Sequence, residues 1–272
     1  MAERYTDFVL KDGGSQLTGT LLRGSWAALL QWPAARRVES TDYPERDGKA
    51  VDFGAGLYDG APRELRLPLY FLNMKVRNLW GELWTPNPEL IVGALAYRMG
   101  VQVIGVEAVT QGQEGSWGTV GMLERALPDW LAQDNGFVKA KPMPGTMGVW
   151  GDVDFSKFGI GVMSGAWVPK GGMQRKRLSN PGYALAEGIG LEEAKVVLPC
   201  VMGGFASVGD LLRNYGAAWR MLTESTKKVN LYTERANYYN ARYESQRVVA
   251  FDPARRWVQF EVTLAVDVML GY

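Results

Sequence analysis

Glu192-Glu193 places two carboxylates side by side, the residue type that glycosidases use as acid, base or nucleophile. Adjacent strand residues point to opposite faces, whereas working carboxylates must converge on one substrate, so the pair reads as a solvated strand entry. Gly54-Ala55-Gly56 and Gly159-Ile160-Gly161 resemble the glycine spacing of phosphate-cradling loops. Neither carries the Lys-Ser/Thr of a P-loop or a strand-to-helix context, and both read as turns or bulges. The run Arg175-Lys176-Arg177 has the charge to hold a phosphate but is too short to read as more than a solvated basic loop. Cys200 is the only cysteine and reads as a small core hydrophobe rather than a nucleophile. The chain has no histidine, which removes imidazole bases, Ser-His-Asp and Cys-His nucleophiles, and the commonest ligands of catalytic zinc. Ten tryptophans could build a stacking platform for sugars or single-stranded bases. Trp26 and Trp167 stand beside apolar runs and Trp219 on an apolar helical face, which favours the core for these three. Trp80, Trp84, Trp117, Trp130 and Trp150 fall in an irregular middle region, where exposed aromatics suit subunit contacts. No catalytic, cofactor-binding or metal-ligating residue is assigned, and no cofactor is expected.

The elements that carry these residues are mostly strands. The chain has 272 residues, a formal charge of +1, 47% hydrophobic and 22% charged residues, 33 glycines and 13 prolines. Such a length forms one large or two ordinary domains, and the glycine and proline content favours a turn-rich, mainly β fold. The near-zero charge draws the chain neither to nucleic acid nor to anionic lipid. The single cysteine permits cytosolic folding, and the sequence shows neither a targeting segment nor an apolar membrane span, so the chain is expected to be soluble as synthesised. Ser207 caps a predicted amphipathic helix over 207–223, with Leu211, Leu212, Tyr215, Trp219 and Leu222 on its apolar stripe and Arg213, Asn214 and Arg220 between them. Val229, Leu231 and the stretch 238–251 read as strands, Val258 to Leu264 alternates apolar and polar, and Asp252-Pro253-Ala254-Arg255 turns between the last two. Leu65, Leu67 and Leu69 mark an earlier strand whose Pro68 restricts it to an edge or a strand end. The turn-rich stretch 42–60, with Asp47-Gly48, reads as an excursion off a sheet. A strand over 101–109 and a helix over 121–132, interrupted by Pro128, are expected in the middle.

Blocks of sequence recur in order. Gly24-Ser25-Trp26 after Thr20-Leu21-Leu22 is matched by Gly165-Ala166-Trp167 after Gly161-Val162-Met163. The basic segment Arg36-Arg37-Val38 is matched by Arg175-Lys176-Arg177-Leu178, and Gly56-Leu57 by Gly190-Leu191. Leu65, Leu67 and Leu69 before and after Pro68 then stand opposite Val196, Leu198 and Cys200 around Pro199. Two copies of one β-rich unit are therefore expected, 1–145 with an elaborated region at 76–141, and 146–272.

Val38-Glu-Ser-Thr-Asp-Tyr-Pro-Glu-Arg-Asp-Gly-Lys49, the Arg-x-Leu-x-Leu-Pro strand after it, the helix leading into Val229-Asn-Leu-Tyr232, the run Tyr238 to Tyr243 and the last strand Phe260-Glu-Val-Thr-Leu264 together resemble the distal tail proteins of long-tailed bacteriophages, and more broadly the tail-tube-like domains of tail hubs. The resemblance covers about half of the chain, at 15–75 and 160–268. It implies a tail-tube-like antiparallel β-sandwich flanked by a helix, here duplicated, with six domains closing into a ring around the DNA channel. The implied role is structural: a virion protein of the tail tip, assembled in the host cytoplasm, joining tail tube protein to hub or receptor-binding proteins, with no catalytic site, no specific nucleic-acid binding and no membrane contact. A carbohydrate-module-like C-terminal domain of the family has no counterpart, and a second tube-like copy takes its place, so three chains suffice for a pseudo-sixfold ring and a hexamer would place twelve domains. The competing readings are a carbohydrate-binding β-sandwich using exposed tryptophans and a histidine-free carboxylate glycosidase.

Overall fold

The computed structural model describes residues 6–35, 40–42, 49–51, 62–72, 88–95, 97–134, 136–141, 143–163, 194–224, 229–234, 236–266 and 268–271. Alternating apolar residues build most of it. β1 (Thr6–Asp12) and β2 (Ser15–Leu21) form a hairpin, followed by the short helix α1 (Ser25–Leu30). β3 (Ser40–Asp42) pairs only with β4 (Lys49–Val51) in a small separate sheet. β5 (Glu64–Leu72), β6 (Glu89–Val92), β7 (Tyr97–Gln111) and β8 (Gly115–Glu124) follow, then the single helical turn α2 (Asp129–Ala132). The rest comprises β9 (Gly148–Trp150), β10 (Val153–Asp154), β11 (Ile160–Val162), β12 (Ala194–Met202), helix α3 (Val208–Thr223), β13 (Val229–Thr233), β14 (Ala236–Asp252), β15 (Trp257–Val266) and β16 (Val268–Gly271).

The chain is mainly β, with antiparallel pairing throughout. β1-β2-β5-β8-β7-β6 close into a barrel because β1 pairs with both β2 and β6. The later strands form one sheet in the order β10-β9-β13-β14-β15-β12-β11, with β16 added beside β14. β11, at one end, is bridged to Thr146 just before β9 near the other end, where the Thr146 N–H and hydroxyl both donate to the Val162 carbonyl at 2.7 and 3.1 Å. Where packed pairs of sheets were expected, the described strands instead form two curled sheets: pairing of β1 with both β2 and β6 closes the first, and one bridge draws the second together.

The ladders agree step for step. Leu21 lies opposite Leu69 as Val162 lies opposite Cys200, and the next residue donates to the proline carbonyl in both places, Leu22 to Pro68 at 2.9 Å and Met163 to Pro199 at 2.7 Å. Leu65, Leu67 and Leu69 face Met122, Val120 and Gly118, while Val196, Leu198 and Cys200 face Leu264, Val262 and Phe260. On the next strand out, the register shifts between Val103 and Gly105 opposite Met122–Gly121, and between Tyr243 and Ser245 opposite Leu264–Thr263. Both β7 and β14 bulge a second time toward their C-terminal ends. Pro68 and Pro199 sit inside their strands rather than at ends, with β8 and β15 reaching past them.

α3 begins where Ser207 accepts the Asp210 N–H at 3.0 Å, and it lays Leu211, Tyr215, Trp219 and Leu222 on the curled second sheet. Asn214 and Arg220, two of the polar residues between those apolar positions, are buried as well. Asn214 donates to the carbonyls of Val138 and Phe158 at 2.8 and 3.1 Å and accepts the Val138 N–H at 2.7 Å, which ties the connector between the sheets to the helix. The expected helix over 121–132 does not form as one element: residues 121–124 finish β8, with Met122 and Glu124 continuing its inward alternation, 125–128 are irregular, and only 129–132 turn helical after Pro128. The turn after β14 forms as expected, with the Asp252 carboxylate accepting the Arg255 N–H at 2.9 Å. Residues 43–48, including Asp47-Gly48, lie outside the described residues, although Asp42 and Lys49 on either side pair.

Candidate functional site at the junction of the sheets

Alternation places two charges inside the barrel. Arg63 has the parity of Leu65, Leu67 and Leu69, and Glu124 that of Val120 and Met122, so both side chains turn inward. They meet in a bidentate pair, Nε to Oε2 and Nη2 to Oε1 both at 2.5 Å, with side-chain exposures of 6% and 0%. Tyr97 donates its hydroxyl to Glu124 Oε1. Burial, reinforced by the Glu124 charge, raises the Tyr97 phenol far above its ordinary pKa. The remaining Arg63 donor, Nη1, reaches the Leu29 carbonyl at 3.4 Å and the Gln31 carbonyl. These carbonyls end α1 without a helical partner, so the guanidinium caps the helix and fixes the direction in which the chain leaves it.

That direction leads into the second sheet. Trp32, with 1% exposure, inserts between α3 and the sheet, its ring centroid 4.7 Å from Tyr215, 5.3 Å from Phe260 and 6.3 Å from Tyr243. Gln246 receives it: Oε1 accepts the Trp32 N–H at 2.9 Å, and Nε2 donates to the Tyr215 hydroxyl at 2.5 Å. Gln31 donates to the Gln246 carbonyl, Tyr243 to the Pro33 carbonyl at 2.8 Å, and the Ala35 N–H to the Glu244 carbonyl at 2.8 Å. Glu244 sits in the bulge of β14, where a ladder carbonyl is free to accept from outside. Trp26 closes the outer side against Phe251 at 5.3 Å. The segment 25–35 is thus seated on β14 by one backbone–backbone hydrogen bond, three between side chains and backbone, and an aromatic plug.

A cleft of ≈ 210 Å³ opens beside the junction, lined by Leu95, Tyr97, Arg98, Trp130, Leu212 and Arg213 among others. Arg98 is occupied by Glu89 at 2.5 Å. Among the described residues no group of three or more His, Cys, Asp or Glu is placed to hold a metal, and no helix is long and apolar enough to cross a membrane.

The residues singled out from the sequence are scattered. Cys200 is buried in β12, its thiol pushed far up by desolvation. Gly159 ends a 3-10 turn with φ 80°, and Gly161 lets the connector approach, since a Cβ there would lie 2.5 Å from the Met143 carbonyl oxygen. Trp219 is buried and Trp26 half-buried against the core. Trp150, placed among interfacial candidates, is instead buried at 4% exposure because it points inward from β9. Trp130 is half-buried beneath Arg63, and Trp117 is 40% exposed on the barrel wall opposite Tyr70. Gly54, Gly56, Trp80, Trp84, Trp167, Arg175, Lys176, Arg177, Glu192 and Glu193 lie outside the described residues. Trp32, Arg63, Glu124 and Gln246 were not foreseen; strand parity before Leu65 and after Met122 was the available signal for the two charges.

Fold and junction together define a mainly β protein in which one curled sheet plugs into a second. Compared with protein-family models, curated proteins and solved structures, the chain matches none.

Proposed function

We propose that the chain is a structural protein of a phage tail tip, a distal tail or hub ring component joining the tail tube to the hub or receptor-binding apparatus around a DNA channel, and not an enzyme. Its two sheets are copies of one tail-tube-like unit, divided near residue 145. The observation that carries the reading is the junction itself: one copy seats a segment on the bulged strand of another copy built to the same register. A contact between unlike faces of like units is heterologous, and repeated by rotation it closes a ring. Three two-unit chains supply six such positions, which favours a trimer over a hexamer.

The test is the mass of the purified protein, alone and mixed with the adjoining tube protein, by native mass spectrometry. A three-chain or six-chain ring in either setting supports the reading; a stable monomer or a closed dimer in both overturns it. Glycan binding that Trp117→Ala abolishes would transfer the reading to a carbohydrate-binding module.

A further inference from the structure

Among the described residues, the junction within the chain has a counterpart edge that no strand covers. β13 pairs with β14 only as far as Ala241, and beyond it α1 and residues 31–35 cover the free edge. β6 pairs with β7 only as far as Gly100, and beyond Val101 no described strand pairs with that edge. The bulge residue at the same ladder step is Ile104 on β7 and Glu244 on β14. The exposures differ as a covered and an uncovered edge should: Gln246 is buried where Val106 is half-buried, and Val248 is buried where Ala108 is exposed. Ile104 itself is an isoleucine left 45% exposed.

We propose that the β7 edge centred on Ile104 and Val106 is the docking surface for the C-terminal sheet of a second copy of this chain, which presents the segment after its β11 as the N-terminal sheet presents the segment after β2 to β14. The sequence supplies the matching chemistry. Gly165-Ala166-Trp167 repeats Gly24-Ser25-Trp26, and Met173 follows Gly165 at the spacing at which Trp32 follows Gly24. Met173 is thus apolar in type, like the Trp32 whose backbone meets Gln246 two residues past the bulge of β14, and Val106 is the residue two past the bulge of β7. The formal charge of +1 opposes no such self-association. The inference rests on the proposed ring only for the existence of an assembly; the surface is fixed by the register.

The experiment is native mass spectrometry and light scattering on the full chain, comparing wild type, Ile104→Asp and Met147→Asp, an exposed apolar residue away from this edge. Burying an unpaired carboxylate at the contact weakens association by about thirtyfold or more. Ile104→Asp is therefore expected to fall to monomer at concentrations where wild type and Met147→Asp remain assembled, with unchanged circular dichroism. Hydrogen exchange on wild type supplies a second readout independent of folding of the variant: amides 104–107 are slower in the assembled than in the diluted protein. An assembled Ile104→Asp, or equal exchange at 104–107, overturns this surface and leaves the ring reading standing. A wild-type monomer overturns both.

Discussion

Replacing Trp32 by alanine tests whether the plug carries the junction. The side chain is 1% exposed and touches one aromatic ring on α3 and two on the second sheet, so the truncation empties a cavity that three large rings cannot readily collapse into. Loss of a buried tryptophan to alanine costs about 3–5 kcal/mol, and aromatic pairs add about 0.5–1.5 kcal/mol each beyond their area. We expect a loss near the upper end, about 4–5 kcal/mol, a large fraction of the roughly 5–15 kcal/mol that stabilises a folded chain. The indole Nε1 meets no acceptor, so Trp32→Phe sacrifices volume without stranding a hydrogen-bond partner and is expected to cost under about 2 kcal/mol. Urea unfolding followed by circular dichroism measures both at constant protein concentration, which keeps assembly from contributing to the difference. A cost below about 1.5 kcal/mol for alanine, or equal costs for alanine and phenylalanine, would refute the packing argument.

Three further perturbations have signs set by the structure. Gly216→Ala reverses the usual helix preference: a Cβ would lie 1.7 Å from the Trp130 carbonyl oxygen, so the substitution should cost at least about 2 kcal/mol in thermal unfolding where an open helical site would gain stability. Glu124→Gln leaves Arg63 buried without its counter-charge, an expected loss of about 3–5 kcal/mol by urea titration, with faster hydrogen exchange in α1, whose end Arg63 caps. Stability should be level from pH 5 to 8, there being no histidine, and fall above it. Burial raises the folded pKa of Cys200, Tyr97, Tyr215, Tyr238 and Tyr243 above the unfolded values, so this stability is whole below about pH 8.5 for the thiol and about pH 10 for the phenols and is lost as pH rises further. Unfolding free energies at pH 7, 9 and 10.5 check it, and an alkaline plateau contradicts it.

What the sequence made legible was local and periodic. β5, β12, β15 and α3 follow from alternation or helical spacing within one segment, and the Ser207 cap is a short-range hydrogen bond. β7 was recognised over 101–109, which holds both of its bulges, at Ile104 and near Val109, but not at its ends, Tyr97–Gly100 and Thr110–Gln111; the bulges bend it around the barrel. Barrel closure depends on backbone hydrogen bonds between β1 and β6, to which side-chain patterning contributes little. Trp32 eluded the reading because nothing near it in sequence is its partner: the rings it packs on come from α3, β14 and β15.

The two edges differ in a way that their proposed partners explain. Within the chain the junction is tethered, so it forms without the roughly 4–15 kcal/mol of translational and rotational freedom that a second molecule surrenders on binding. A polar bulge is then sufficient, and Glu244 holds Lys195 at 2.7 Å and Arg242 at 3.7 Å while its carbonyl receives Ala35. The proposed contact between chains has no tether and must bury more apolar surface to reach the same occupancy. Ile104 at the corresponding step, with Val106 beside it, supplies that surface on a backbone whose register is otherwise the same. Exchanging the bulge residues separates these demands. Glu244→Ile should leave the tethered junction nearly intact in urea unfolding, because the backbone hydrogen bond from Ala35 persists, whereas Ile104→Glu should dissolve the assembly. Equal effects of the two on assembly mass would show that tethering does not divide the edges in this way.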